Sequence, residues 1–586
     1  MFEKYQTEIE NQIIDILLKN DIPTLELEWK SIPFEGQWGL STSFFQTASL
    51  ESKRLGQKTN IQQRAQEIAE LLKNSIQLSE SYKRCESVNG YLNVYFRTPH
   101  FANLVLEEVL REKEKFGSAI NNERLIMIEF SQPNTHKAFH VGHLRNIMVG
   151  SAVANILEFA GNKIIRANYL GDIGYHVITW LWNYQKYHKG ENPPESEKTK
   201  WIGDLYTEAI NRRDESKENE LEVRELFKLW DQRDKEIVTL WQKTRQWSLD
   251  AFEDLYALLG IHFDRVYFES EVEQEGKILI EELIKKNLAQ DERPEGAVII
   301  NLDHLLNTKD EYRVLVLLRS DGTSLYATKD IPLAIKKFTE YKLDQSIYVI
   351  DVRQTLYMKQ IFKTLELMGF GWARKCYHLA YEIVNLPGNV TIASREGTVV
   401  LLDDLINEAT RRARVIVEEK NPDATEEEKR RIAELVAVGA IKYPLLSRDN
   451  TKVVTFDWES ALDVNGQASP YIQYAAVRAN SILRKVGFTI PKNGIIPNEL
   501  EQQEIELIDM ISRFPAIIQR AASAMKPLEI ANYAYNLARA FNDFYMCCPV
   551  LTSKIEKDFR LRVVAATYQT IKNSLSLLGI EVPQKM

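Results

Sequence analysis

Between Arg124 and Tyr169 the 586-residue chain runs strand, turn, helix, glycine, strand, and that order leaves few folds open. Arg124-Leu-Ile-Met-Ile-Glu-Phe130 is an apolar run of buried-strand length, and it stops at the turn Ser131-Gln-Pro-Asn134. From Val141 to Phe159 apolar residues recur at helical intervals, and Gly161 can close that helix in the left-handed conformation. Lys163 to Tyr169 reads as a second strand. A crossover helix between two strands of one sheet makes them parallel, and an open parallel sheet binds its ligand beyond the carboxyl ends of its strands.

The rest of the chain is arranged around this unit. Residues 1–115 begin with helical spacing (Ile9, Ile13, Ile14, Ile16, Leu17) and continue in short strand-like pieces such as Tyr91–Phe96, which predicts a small α/β domain. Pro193-Pro194 opens a helical excursion expected over about 185–295, with Trp230, Trp241 and Trp247 in its long helical stretch. Strand-like runs at Ala297–Asn301, Arg313–Leu318 and Ser346–Ile350 imply that the sheet resumes, so the larger α/β domain is expected over 116–410. From Asp403 nearly everything has helical period, broken at Asn421-Pro422 and between Pro491 and Pro497, and 411–586 is expected as an α-helical bundle.

Composition narrows the class. A net charge of −9 with 44% hydrophobic and 10% aromatic residues is a globular chain, not a disordered acidic one. No run approaches the ~18 apolar residues of a membrane span, and the amino terminus has no apolar stretch behind its charges, so a cytoplasmic protein without membrane contact is expected. The four cysteines form no C-x-x-C pair; no structural zinc and no other protein-bound metal site is expected. From Arg431 onward the chain carries 18 Lys/Arg against 15 Asp/Glu, so a nucleic acid, if one binds, would lean on the tail, although the same balance also fits an ordinary solvated surface.

His140-Val-Gly-His143 stands where the first turn enters the helix. Helix amino termini expose unpaired N–H groups and a positive dipole end; Gly142 lets a polyphosphate approach the backbone while His140 and His143 donate to its oxygens. With neither G-x-G-x-x-G nor a Walker loop present, this is a different kind of nucleotide site, unless the pair is an H-x-x-H metal pair or two ordinary histidines. In the helical tail, Tyr471, Gln473, Tyr474, Arg478, Asn480 and Arg484 put aromatic and basic groups at helical spacing, suited to stacking on unpaired bases and meeting phosphates, or equally to a bundle core with a solvated rim.

Ser131 to Arg145 resembles the signature segment of arginyl-tRNA synthetases, the class I family whose nucleotide motif is written HIGH. Asn168–Asp172, Leu325–Asp330, Tyr348–Gln354 and Asp463–Lys485 follow in family order, so the resemblance spans essentially the whole chain. It implies a Rossmann-type parallel-sheet catalytic domain with a helical insertion, a small amino-terminal α/β domain on the tRNA elbow and a carboxy-terminal helical anticodon-binding domain. The implied substrates are ATP with Mg²⁺, L-arginine and tRNA(Arg), the implied activity is arginine–tRNA ligation by a monomer, and adenylate formation is implied to wait for tRNA. The second family signature, KMSKS, corresponds to Thr391–Gly397, where both lysines are missing; Lys137 and Arg395 are expected to supply the cations that face the departing pyrophosphate.

Carried over position by position, the resemblance places the catalytic and ATP roles on Lys137, His140, Gly142, His143 and Arg395. It places the guanidinium on Asp330 and Tyr326, the substrate's ammonium and backbone on Glu129, Ser131 and Asn134, and a further contact on Gln354. A planar fork of donors is well held by a carboxylate beside aromatic walls, although Asp330 also reads as a helix cap before Ile331-Pro332. Tyr91 and Asn93 are the elbow candidates; Tyr471, Gln473, Arg478 and Arg484 are the anticodon-side ones. Two rivals stay open: a synthetase for another amino acid, and a non-catalytic tRNA-binding relative.

Overall fold

The computed structural model describes residues 3–56, 58–139, 141–306, 310–386, 390–391, 401–491 and 496–586. The chain divides into two compact units, one of Met1–Phe116, Ala475–Pro515 and Tyr535–Asn573, the other of Gly117–Tyr474, Ala516–Ala534 and Ser574–Met586. The helical tail expected as one domain thus contributes to both.

The first unit begins with α1 (Glu3–Lys19), β1 (Lys30–Ser31), β2 (Gly39–Ser43), α2 (Phe45–Leu55), α3 (Ile61–Ser75), β3 (Tyr82–Val88), β4 (Tyr91–Phe96) and α4 (Thr98–Glu112). Its antiparallel sheet has the order β1-β2-β4-β3. The hairpin between β3 and β4 turns on Asn89-Gly90, both at positive φ (50° and 83°), a backbone these two residues tolerate best. Along β4, Leu92, Val94 and Phe96 are buried while Tyr91, Asn93 and Tyr95 take the more accessible face, the period-2 pattern of a half-buried strand.

In the second unit β5 (Leu125–Glu129), α5 (Val141–Phe159) and β6 (Lys163–Leu170) are the βαβ unit read from the sequence. Then come the insertion helices α6 (Tyr175–Tyr187), α7 (Lys198–Glu215), α8 (Lys217–Asp231) and α9 (Lys235–Leu258), packed on Trp180, Trp182, Trp230 and Trp241. They are followed by β7 (Arg265–Phe268), α10 (Glu269–Lys285), β8 (Gln290–Asp291), β9 (Val298–Asn301), α11 (Leu302–Leu306), β10 (Val314–Leu318), α12 (Tyr326–Tyr341), β11 (Gln345–Asp351), α13 (Thr355–Leu367) and β12 (Cys376–Tyr381). The central sheet is β12-β11-β5-β6-β7, every pair parallel. Chain order reverses between β5 and β11, which makes that edge the switch point where such sheets open a ligand crevice.

Two expectations need correction. β7 lies inside the interval read as insertion, yet it pairs with β6 as the sheet's edge strand; four residues between charged neighbours are too short a run to stand out. β9 and β10 do not resume the central sheet but form a separate antiparallel sheet, β10-β9-β8. Further helices follow: α14 (Leu402–Lys420), α15 (Glu426–Leu446), α16 (Trp458–Ala461), α17 (Ser469–Lys485), α18 (Gln502–Ser512), α19 (Phe514–Ala524), α20 (Pro527–Cys547) and α21 (Lys557–Leu577). The break at Asn421-Pro422 is present, and α15 starts on a reciprocal cap between Thr425 and Glu428.

Pro332 lies inside α12 and has no N–H for the carbonyl of Thr328, four residues earlier. Gly276 of α10 packs on that carbonyl: a Cβ at Gly276 would lie 1.7 Å from the Thr328 oxygen. Gly276→Ala should therefore force α10 and α12 apart, at about 1–3 kcal/mol for an overpacked contact. Calorimetry should show a lower melting temperature, and an unchanged one would mean the helices separate freely.

Candidate active site

Beyond the carboxyl ends of β5 and β11, at the switch point, lies a cavity of about 360 Å³. Its lining includes five of the six residues expected to hold the amino acid: Glu129, Asn134, Tyr326, Asp330 and Gln354. The sixth, Ser131, does not line it; the side chain is buried with its hydroxyl 2.6 Å from the Tyr256 hydroxyl, and its N–H donates to Asn146 Oδ1 at 2.6 Å. Tyr326 is exposed at the start of α12, and Asp330 stands one turn further along. Asp330 is not a cap: Leu325 occupies the N-cap position and the helix runs through Ile331-Pro332.

The cavity also gathers charge that the sequence reading did not assign. Glu129 pairs with buried Lys337, whose ammonium lies 4.2 Å from the Tyr348 ring centroid, and accepts from Gln132 Nε2 at 2.7 Å. Glu269 pairs with Lys329. Asp330 has no ion pair among the described residues; its Oδ2 accepts from the Tyr357 hydroxyl at 2.5 Å. Of these three carboxylates only Asp330 has no lysine partner among the described residues. Burial, with Glu129 nearby, pushes the Asp330 carboxyl up to about 6 against the Tyr357 hydrogen bond; burial likewise raises Glu269 to about 7 despite Lys329. A cationic ligand would supply what Asp330 lacks. The Tyr169 hydroxyl, also facing this cavity, has no hydrogen-bond partner among the described residues.

The loop that carries the signature is braced from several sides. Ser131, Gln132 and His136 all hold positive φ. Asn146 of α5 spans the switch point, accepting from Ser131 N–H and donating to the Val349 carbonyl at 2.7 Å. A Cβ at Gly171 would lie 2.1 Å from Asn134 Oδ1, so a side chain there would have to displace the Asn134 amide from the cavity wall. His136 is fully buried between the Thr135 and Thr244 hydroxyls, and burial, helped by Arg245, pulls it down to about 3, so it is neutral at physiological pH. Buried Arg145 donates to the carbonyls of Glu382, Lys452 and Asp449 at 2.6, 2.6 and 3.0 Å, which ties α5 to the chain beyond the sheet.

Gly142 and His143 lie in the first turn of α5, with the His143 ring 4.9 Å from that of Phe139. His140 and Arg395 lie outside the described residues, as does the segment matching KMSKS beyond Thr391. Lys137 precedes them on the loop, its ammonium 5.1 Å from the Tyr206 ring centroid on α7; Gly203, one turn earlier, lets α7 come close to Ala138. Burial lowers the Lys137 ammonium below its usual range, and Glu269 partly offsets this. Leu402, at the start of α14, donates its N–H to the Phe139 carbonyl at 3.1 Å.

The residues expected to touch tRNA differ in exposure. Tyr91 is exposed and Asn93 partly so, two residues apart on one face of β4. On α17, Tyr474 and Arg484 are exposed, Tyr471 and Arg478 partly so. Arg478 donates to Asn542 at 2.7 Å and lies over the exposed Tyr545 ring. Gln473 and Asn480 are buried, and the Gln473 amide donates to the carbonyls of Glu581 and Leu435 at 2.7 and 3.2 Å, a brace between packed elements.

Two family descriptions match: the catalytic domain of class I tRNA synthetases (R) over residues 105–458, and the DALR anticodon-binding domain over 472–586. Arginine–tRNA ligase of Bacteroides fragilis is 33% identical, with 97% of each chain covered, and that of Phocaeicola vulgatus is 33% identical over 100% of this chain and 99% of its own. Among solved structures, Thermus thermophilus arginyl-tRNA synthetase superposes with a TM-score of 0.77 at 27% identity, covering 99% of both chains. An acidic cavity at the switch point of a parallel sheet, Gly142 and His143 in the first turn of α5 and these full-length matches agree: the chain belongs to the arginyl-tRNA synthetases, class I enzymes that join arginine to tRNA with consumption of ATP.

Proposed function

We propose that in this arginine–tRNA ligase the 360 Å³ cavity is the arginine site and that Asp330 is its guanidinium partner. The observation that carries this is the charge count: of the three cavity carboxylates, Asp330 alone lacks a lysine among the described residues. A guanidinium is a planar set of donors suited to a carboxylate, and Tyr326 offers a ring beside it. Glu129 and Asn134 receive the ammonium and backbone of the substrate, and Gln354 closes the far wall. The Tyr169 hydroxyl is a further acceptor for the ammonium, one that the sequence reading did not assign.

In this reading an oxygen of the arginine carboxylate attacks the α-phosphorus of ATP, and the bond to pyrophosphate breaks. The terminal 2′-hydroxyl of tRNA then attacks the carbonyl carbon, and AMP leaves. The enzyme forms no covalent bond to either; it positions the reactants and stabilises charge on the phosphates. Gly142 gives the nucleotide close access to the helix terminus, His140 and His143 donate to phosphate oxygens, and Lys137 with Arg395 faces the departing pyrophosphate. Among the described residues no group of three or more His, Cys, Asp or Glu side chains is placed to hold a metal. Mg²⁺ enters on the ATP phosphates as part of the substrate, since this ion often keeps its waters and binds mainly through phosphates.

For tRNA, the exposed face of β4 with Tyr91 and Asn93 takes the elbow, and Tyr471, Tyr474, Arg478 and Arg484 take the anticodon side; Gln473 acts behind that surface. We take the working form to be a cytoplasmic monomer; no described helix is long and apolar enough to cross a membrane.

Arginine-dependent pyrophosphate exchange should be negligible until tRNA is added, because with both signature lysines missing from Thr391–Gly397 the charge on the departing pyrophosphate is fully met only in the tRNA complex. Vigorous exchange without tRNA would contradict this. The arginine-site reading itself is tested by the kinetics of Asp330→Asn, argued below.

A further inference from the structure

We propose that Tyr357 is a positioning residue for arginine recognition: from α13 its hydroxyl holds one oxygen of the Asp330 carboxylate, so that Asp330 meets the guanidinium as a fixed anion. The inference rests on Asp330 being the guanidinium partner. Its geometric basis is the 2.5 Å hydrogen bond between two residues that line the same cavity but come from different helices.

The titratable or charged groups that act on Asp330 or line its cavity are Glu129 from β5, Tyr169 from β6, Glu269 at the start of α10, Tyr326, Lys329 and Lys337 on α12 itself, Tyr348 from β11 and Tyr357 on α13. The two lysines are spent on Glu269 and Glu129. Tyr357 is thus the direct side-chain donor to Asp330 among the described residues. Burial and the Glu129 charge favour the protonated acid, and the Tyr357 hydrogen bond opposes them. A protonated Asp330 cannot pair with a guanidinium. Removing the hydroxyl should therefore weaken arginine binding most where the acid is easiest to protonate.

The test is Tyr357→Phe, with KM for arginine and kcat measured from about pH 5.5 to about pH 9 beside the wild type, a window that brackets the Asp330 titration. The ratio of variant to wild-type KM should be roughly five- to tenfold near about pH 6 and shrink toward parity near about pH 9, as expected for a hydrogen bond to a charged group worth about one pKa unit. The loss should fall on KM rather than kcat, and KM for ATP should not follow pH in this way. Tyr357→Gln, which retains an N–H donor that does not titrate, should fall between the two and serves as the test if the Phe variant does not fold. A KM ratio independent of pH, or no change in KM, would overturn the proposal. Asp330→Asn in the same series separates the failures: if it leaves arginine KM unchanged, the reading of Asp330 is wrong; if it impairs arginine use while Tyr357→Phe shows no pH-dependent ratio, only the role of Tyr357 falls.

Discussion

Asp330→Asn is expected to lower kcat/KM for arginine by roughly 30- to several-thousand-fold, the equivalent of about 2–5 kcal/mol for losing one partner of a desolvated charge pair. KM for ATP and the affinity for tRNA should stay near wild type, because the substitution keeps the side chain's size and α12 keeps its path. The effect on stability has the opposite sign from that of a lost helix cap. The Asp330 carboxyl sits at about 6 in the folded protein, above the 3.8 of a free side chain, so the folded state holds its proton more tightly and stability falls as pH rises through that window. Asparagine removes that penalty. At neutral pH the variant should melt no lower than the wild type, whereas the loss of a cap would cost about 1 kcal/mol. A full loss of arginine use with an intact melting curve supports the assignment; an unchanged arginine KM removes Asp330 from the site.

Lys137→Ala should lower kcat for adenylate formation ~10²–10³-fold with little change in KM for arginine, since a cation needed as pyrophosphate departs stabilises the transition state more than the ground state. Lys137 lies on a loop backed by Tyr206 and by the close approach of Gly203 to Ala138, so the charge is held in place by the insertion helices. Pre-steady-state quenching of adenylate formation measures the step directly. A loss under about tenfold, well below the scale of one electrostatic donor, would give the role to Arg395 or to the metal carried by ATP.

Much of this arrangement is legible in the sequence because its causes are local. The β5–α5–β6 unit follows from an apolar run, a Pro-Asn turn, helical periodicity and a closing glycine, and the first helix of the tail from periodicity ended by Asn421-Pro422. What escapes is set by distance along the chain. Lys337 neutralises Glu129 from 208 positions away, and Tyr357 reaches Asp330 from 27; neither pairing leaves a spacing to read. Asp330 before Ile331-Pro332 looks like a cap because proline favours helix starts, yet α12 continues past Pro332, with Gly276 packed on the Thr328 carbonyl that proline leaves without an intrahelical donor. β7 was hidden by its length, and Gln473 by an alternation of aromatic and basic residues that a bundle interior and a nucleic-acid surface share.

The central claim is that the acidic cavity selects arginine for transfer to tRNA. Aminoacylation of total tRNA with Mg²⁺·ATP, run separately with each standard amino acid, tests it most directly. Charging with arginine alone is the predicted result. Charging with another amino acid, or tRNA binding without any charging in the presence of arginine, would contradict it.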